Sequence, residues 1–133
     1  MIKDFEIWNG RKILINQKEV RVYFHEREVW WSVLGVNVGF EQDGKGVEFH
    51  RPVLVFKKFN NEVFWGIPLS TRIKKSKFYS PIKLSDNVSR VGILSQLRLM
   101  DAKRLLDKIG VIDEVNHSDI QKAITNLVVY NRS

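Results

Sequence analysis

Residues 41–72 read EQDGKGVEFHRPVLVFKKFNNEVFWGIPLSTR, and the fold turns on how this stretch is parsed. A polar segment carrying Gly44 and Gly46 runs up to His50. Arg51 then stands at the mouth of an apolar run, residues 52–56. Asn60-Asn61 reads as a turn, and a second apolar run, residues 63–68, ends in two hydroxyls, Ser70 and Thr71. If the two runs pair as a hairpin, a guanidinium and a hydroxyl meet at one end of a sheet, beside a glycine-bearing loop. Pro52, with no amide donor, is expected at a strand's first residue or on an edge. The loop is no phosphate-binding P-loop, because no Gly-Lys-Ser/Thr opens a helix.

Around this hairpin the chain supplies more short strands. Residues 27–38, REVWWSVLGVNV, are rich in β-branched and aromatic side chains and predict a strand followed by a loop. In an extended chain Trp30 and Trp31 face opposite ways, one into the core and one outward. Residues 80–84, 91–94 and 107–112 read as further short strands, and residues 96–100 alternate polar with apolar as a half-buried strand does. Asp101 is placed to cap a short helical turn at 102–105. Ser118 is expected to cap a last helix whose apolar stripe is Ile120, Ala123, Ile124, Leu127 and Val128. Residues 1–26 read as an N-terminal extension packing on the core, a short helix ending near Gly10 and then a strand near 13–15, with a hairpin turning at Asn9-Gly10 as the alternative. Short strands with one terminal helix give a mainly β fold, closed into a small barrel.

The 133 residues suit one domain, and no cysteine is present to form a disulfide, act as a thiol nucleophile or bind zinc. The three histidines are scattered, so no metal or other cofactor is expected. The absence of a signal-like N-terminus and of a long apolar run points to a cytoplasmic protein with no membrane span. A formal charge of +7 makes nucleic acid the first partner to consider, with an acidic protein or simple solubility as alternatives. The basic residues Lys57, Lys58, Arg72, Lys74, Lys75 and Lys77 lie close in sequence to Phe78 and Tyr79. Cations beside aromatics suit single-stranded nucleic acid, where phosphates meet charge and bases stack; a solvated basic loop over core aromatics is the alternative.

One ordered set of motifs goes further. Glu28-Val29-Trp30, Gly39, Glu41-Gln42-x-Gly44, Arg51-Pro52-Val53-Leu54-Val55, Pro68-Leu69-Ser70-Thr71, Gln96-Leu97-Arg98 and Arg104-Leu105 occur in that order across residues 27–131. Together they resemble the MazF/PemK family, toxins of bacterial type II toxin–antitoxin systems. The resemblance implies an SH3-like barrel with appended helices over residues 27–133, with residues 1–26 outside the common core. It also implies metal-independent cleavage of single-stranded RNA, a homodimer, and neutralisation by a cognate protein antitoxin.

By the same resemblance Arg51 is the catalytic arginine and Ser70 the catalytic hydroxyl, with Thr71 the competing assignment. Gln96 and Arg98 match a Gln-x-Arg element at the active-site wall, and Glu41 and Gln42 anchor a loop bordering an RNA groove. Lys45, His50, Arg72, Lys74, Lys75 and Lys77 complete the expected RNA contacts. Ser95 stands where some members carry a carboxylate, and the segment between Gly44 and Arg51 is longer than is typical. Arginine, with a pKa above about 12, is suited to charge stabilisation rather than proton transfer. His50 could handle a proton, but as Arg51's neighbour on a strand it points the other way. Two other readings fit the same barrel: a gyrase-inhibitor-type toxin that binds protein, and a module that binds RNA without cutting it.

Overall fold

The computed structural model describes residues 21–34 and 50–129; the expectations for residues 1–20, the glycine-bearing loop and the last four residues lie outside this range. Among the described residues seven strands follow one another: β1 (Glu28–Val33), β2 (His50–Lys58), β3 (Val63–Ser70), β4 (Tyr79–Ile82), β5 (Arg90–Ile93), β6 (Arg98–Asp101) and β7 (Leu105–Val111). One helix, α1 (Glu114–Val128), closes the described chain. All the strand pairs are antiparallel, in the order β4-β5-β3-β2-β1-β7, with β6 also pairing β3.

The β2–β3 hairpin is the centre of this sheet, as its sequence predicts. Asn60 Oδ1 accepts from the amides of Glu62 and Val63 at 2.7 and 3.0 Å, an Asx turn that reverses the chain. β2 is covered on both faces, which explains its unbroken apolar run. Val53 and Val55 pack with Trp30, Phe64, Met100 and Leu105 on one side. Leu54 packs with Val29, Ile67, Leu69, Ile112 and Ile120 on the other. Gly66 lets β3 approach closely: a Cβ there would lie 2.6 Å from Met100 Sδ and 2.8 Å from Val53 Cγ1. Trp30 is buried and Trp31 exposed, as alternation requires.

The strands and terminal helix match the expected barrel architecture, but among the described residues the sheet does not close, since β4 and β7 remain its ends. Helix α1 follows β7 and is tied to β4. Asn116, itself buried, accepts from Lys83 N at 2.8 Å and donates Nδ2–H to the Pro81 carbonyl at 2.9 Å.

Three expectations from the sequence are corrected. The cap of α1 is Asp113, whose Oδ1 accepts from Asn116 N at 2.7 Å, and Ser118 lies inside the helix. The first turn is held by polar contacts to β4, which apolar periodicity does not register. Ile120 is buried and Ala123, Ile124 and Leu127 pack against the core, whereas Val128 is exposed. Pro52 is the third residue of β2, an inner strand, and pairs with Trp31 of β1. Asp101 does cap the short 3-10 turn Ala102–Arg104, accepting from Lys103 N at 2.8 Å.

Candidate active site

Antiparallel pairing brings the start of β2 beside the end of β3. Near the turn the register is Lys58↔Phe64 and Lys57↔Trp65. It then shifts by one at Phe56, so that Val55↔Gly66, Leu54↔Ile67 and Val53↔Pro68 follow. Phe56 is therefore the extra residue of a β-bulge. Its ring stacks obliquely on His117, centroids 5.4 Å apart, and its carbonyl accepts from His117 Nε2 at 3.0 Å. Helix α1 thus holds the bulge in place. Continued two pairs beyond Val53↔Pro68, this register would set Arg51 opposite Ser70. Without the bulge the same hairpin would set Arg51 opposite Thr71, because a one-residue slip moves every partner by one.

Arg51 is only 3% exposed, and its Nη1 donates to the Leu69 carbonyl at 3.0 Å. Continued in register, Leu69 would face Pro52, which has no N–H to offer, so the guanidinium serves a carbonyl beside a proline. Ser70 is half-buried, and its Oγ accepts the Arg72 N–H at 3.1 Å. A hydroxyl used as an acceptor keeps its own proton for another partner. Thr71 is exposed.

These groups border one cavity of about 460 Å³, whose wall includes His50, Arg51, Pro52, Leu69, Ser70 and Thr71. Its volume falls in the range of small-molecule sites, roughly 300 to 1,000 Å³. Trp31, Arg90 and Asp107 complete the wall, and sequence reasoning assigns none of these three to the site. Arg90 is held by a two-pronged ion pair to Asp86, Nη1–Oδ1 2.9 Å and Nη2–Oδ2 2.7 Å. Asn87, in left-handed backbone at φ 60°, shapes the turn that presents Asp86. The Arg90 guanidinium, with help from the Val88 amide, holds the Asp86 carboxyl below its ordinary range. Arg90 precedes an apolar strand just as Arg51 does, and that is the signal the sequence carries for it.

The other expected contacts are distributed. Arg72, Lys74, Lys75 and Lys77 are all exposed on the connection leading out of Ser70 and Thr71. Lys74 Nζ lies 5.7 Å from the Tyr79 ring and Lys77 Nζ 5.3 Å from the Phe78 ring. Gln96, in a 3-10 turn, and Arg98, opposite Gly66, do not line the cavity. Arg98 instead lies near Arg104, whose pKa is pushed down first by burial and then by Arg98's charge. Arg104 Nη1 donates to the Val33 carbonyl at 3.0 Å, tying the end of β1. Glu41, Gln42 and Lys45 lie outside the described residues.

The profile of the PemK-like, MazF-like toxins of type II toxin–antitoxin systems matches residues 26–128. The chain belongs to this family. Solved MazF structures share its fold at low identity. MazF (Form-I) of Deinococcus radiodurans superposes with a TM-score of 0.64 at 17% identity, over 80% of this chain and 97% of that one. The Mycobacterium tuberculosis toxin MazF-mt6 gives 0.61 at 15% identity, over 80% and 100%. A MazE–MazF structure (Form-II) from Deinococcus radiodurans gives 0.59 at 13% identity, over 83% and 99%. Among curated proteins no sequence match is found. This MazF-like chain thus has a toxin fold, with its cavity at the end of the central hairpin. Among the described residues no helix is long and apolar enough to cross a membrane.

Proposed function

We propose that this toxin is an endoribonuclease that cuts single-stranded RNA without a metal or cofactor. The observation that carries the reading is that Arg51 and Ser70, on the paired strands β2 and β3, line one cavity. RNA brings its own nucleophile. The 2′-oxygen attacks the adjacent phosphorus, an O2′–P bond forms, the P–O5′ bond breaks, and a 2′,3′-cyclic phosphate and a 5′-hydroxyl result. The phosphorane that forms on the way carries extra negative charge. Arg51 offers a permanent, planar cation to its oxygens, and Ser70 offers a neutral donor beside it, as an oxyanion hole does. Because Arg51 is desolvated and fixed by Leu69, little reorganisation accompanies the reaction.

The exposed run from Arg72 to Lys77 would track the RNA backbone, with Phe78 available for stacking. The family, and the MazE–MazF assembly of a structural relative, support a cognate protein antitoxin as partner, and we place the toxin in the cytoplasm as a homodimer. Incubating the protein with long RNA in EDTA and mapping fragment ends tests the reaction: cyclic-phosphate ends are expected. RNA left intact, with trapped DNA breaks in arrested cells, would replace this reading with a gyrase-inhibitor-type toxin. Binding without cutting would leave an RNA-binding module.

A further inference from the structure

Asp107 is out of place in a site built only for phosphate. An exposed carboxylate on the wall of a cavity that also carries Arg51 and Arg90 weakens that cavity's hold on an anion. Among the described residues no hydrogen bond or ion pair engages it. It arrives there through a bulge. β1 and β7 pair Trp30↔Lys108 and then Ser32↔Leu105, so Leu106 and Asp107 together oppose the single residue Trp31. Such bulges re-aim side chains next to functional sites. Here the bulge sets Asp107 on the same cavity wall as Trp31, which is 41% exposed.

An indole face with a carboxylate beside it matches an unpaired base, stacked on the ring and read along its Watson–Crick edge. The carboxylate accepts only, through two oxygens side by side. Guanine alone presents two adjacent donors on that edge, N1–H and the 2-amino group. Uracil flanks its single N–H with carbonyls, and adenine and cytosine set a ring-nitrogen acceptor beside their amino group; each of these faces repels a carboxylate. We propose that Trp31 and Asp107 form a guanine-recognition subsite of the RNA-cleavage site. The inference rests on the endoribonuclease reading for its substrate class, and it adds the base that sits next to the scissile phosphate.

Binding of guanosine, inosine and adenosine 3′-monophosphates to the full chain, followed by calorimetry or NMR titration, separates the subsite from the nuclease because no bond is cut. Inosine lacks only the 2-amino group. The guanosine nucleotide is expected to bind at least about tenfold more tightly than the other two, the size of a good two-point base contact. Asp107→Asn should bring the three within about twofold, while Arg51→Ala weakens all three and leaves their ratio unchanged. Trp31→Ala should weaken all three alike, and Trp31→Phe should recover most of the binding. Equal affinities in the native protein, no measurable guanosine nucleotide binding, or a preference that survives Asp107→Asn overturns the subsite. If RNA is cut with no guanine preference, the subsite falls and the nuclease stands. A guanine preference in a protein that cuts no RNA leaves the subsite and removes the nuclease.

Discussion

Two buried charges sit on neighbouring strands of one sheet and are used in opposite ways. Glu28, at the start of β1, is 5% exposed and surrounded by donors: the His25 amide at 2.7 Å, Trp30 Nε1 at 3.1 Å and Lys108 Nζ at 3.0 Å. Arg51, near the start of β2, is as deeply buried, but it borders a cavity with hydroxyls on the facing strand. Glu28 is surrounded by the chain's own groups and serves the fold. Arg51 is anchored to Leu69 and placed where a ligand can meet it. Burial alone therefore does not tell the two charges apart; the cavity beside Arg51 does.

The sharpest way to break this contrast is Arg51→Ala. RNA cleavage should fall by about 100- to 1,000-fold, the usual cost of removing one preorganised charge stabiliser. The thermal melt should show the protein still folded, with the Leu69 carbonyl left to find another donor. Arg51→Lys should recover little, because a point charge does not reproduce a planar fork. Intact cleavage in either variant would remove Arg51 from the chemistry.

Glu28→Ala should do the reverse. It leaves the buried Trp30 Nε1–H without its acceptor, while the exposed Lys108 turns to water, and should destabilise by about 1 to 3 kcal/mol in urea titration. Activity per folded molecule should stay unchanged. A drop in activity at native stability would put Glu28 in the site.

The two hydroxyls give a smaller effect. Ser70→Ala should slow cleavage by about tenfold or more, and Thr71→Ala by less than about threefold, because the register beyond the bulge at Phe56, continued to Arg51, leads to Ser70. The reverse ranking would show that the bulge does not decide the pairing. The pH dependence is smaller again. Burial raises the Glu28 pKa, but the His25 amide, Lys108 and Trp30 outweigh it and hold the carboxyl below its ordinary value. A group depressed in the folded state stabilises above its unfolded pKa, about 4.3, and that contribution disappears as pH falls through the folded value. Melting temperature should therefore drop across this acid window in the native protein, and less steeply in Glu28→Gln. Smallest of all, changing Lys74 and Lys75 to Ala should leave cleavage near native at low salt. For each phosphate that either lysine neutralises, the substitution should reduce the salt slope of RNA binding by about 0.7.

Much of this is legible in the residues alone. The hairpin, the Asn60 turn, the opposed Trp30 and Trp31 and the terminal helix follow from alternation, turn chemistry and apolar spacing. The motif order brings Arg51 and Ser70 forward. Arg90 holds an equivalent place at the start of β5, but no motif singles it out. Asp107 carries no signal at all: in a regular strand it would be one more surface carboxylate. Ser118 reads as the helix cap ahead of Asp113 because apolar spacing does not register a polar tie from Asn116 to β4.

The chain's local chemistry determined by itself which segments extend, where they reverse, and which cation stands at the mouth of β2. Only tertiary structure decided which hydroxyl the register points toward that cation and which carboxylate shares its cavity. Both answers hang on single-residue bulges, at Phe56 and at Leu106–Asp107. A bulge is held by neighbours distant in sequence, His117 for one and β1 for the other, so no local pattern of residues announces it.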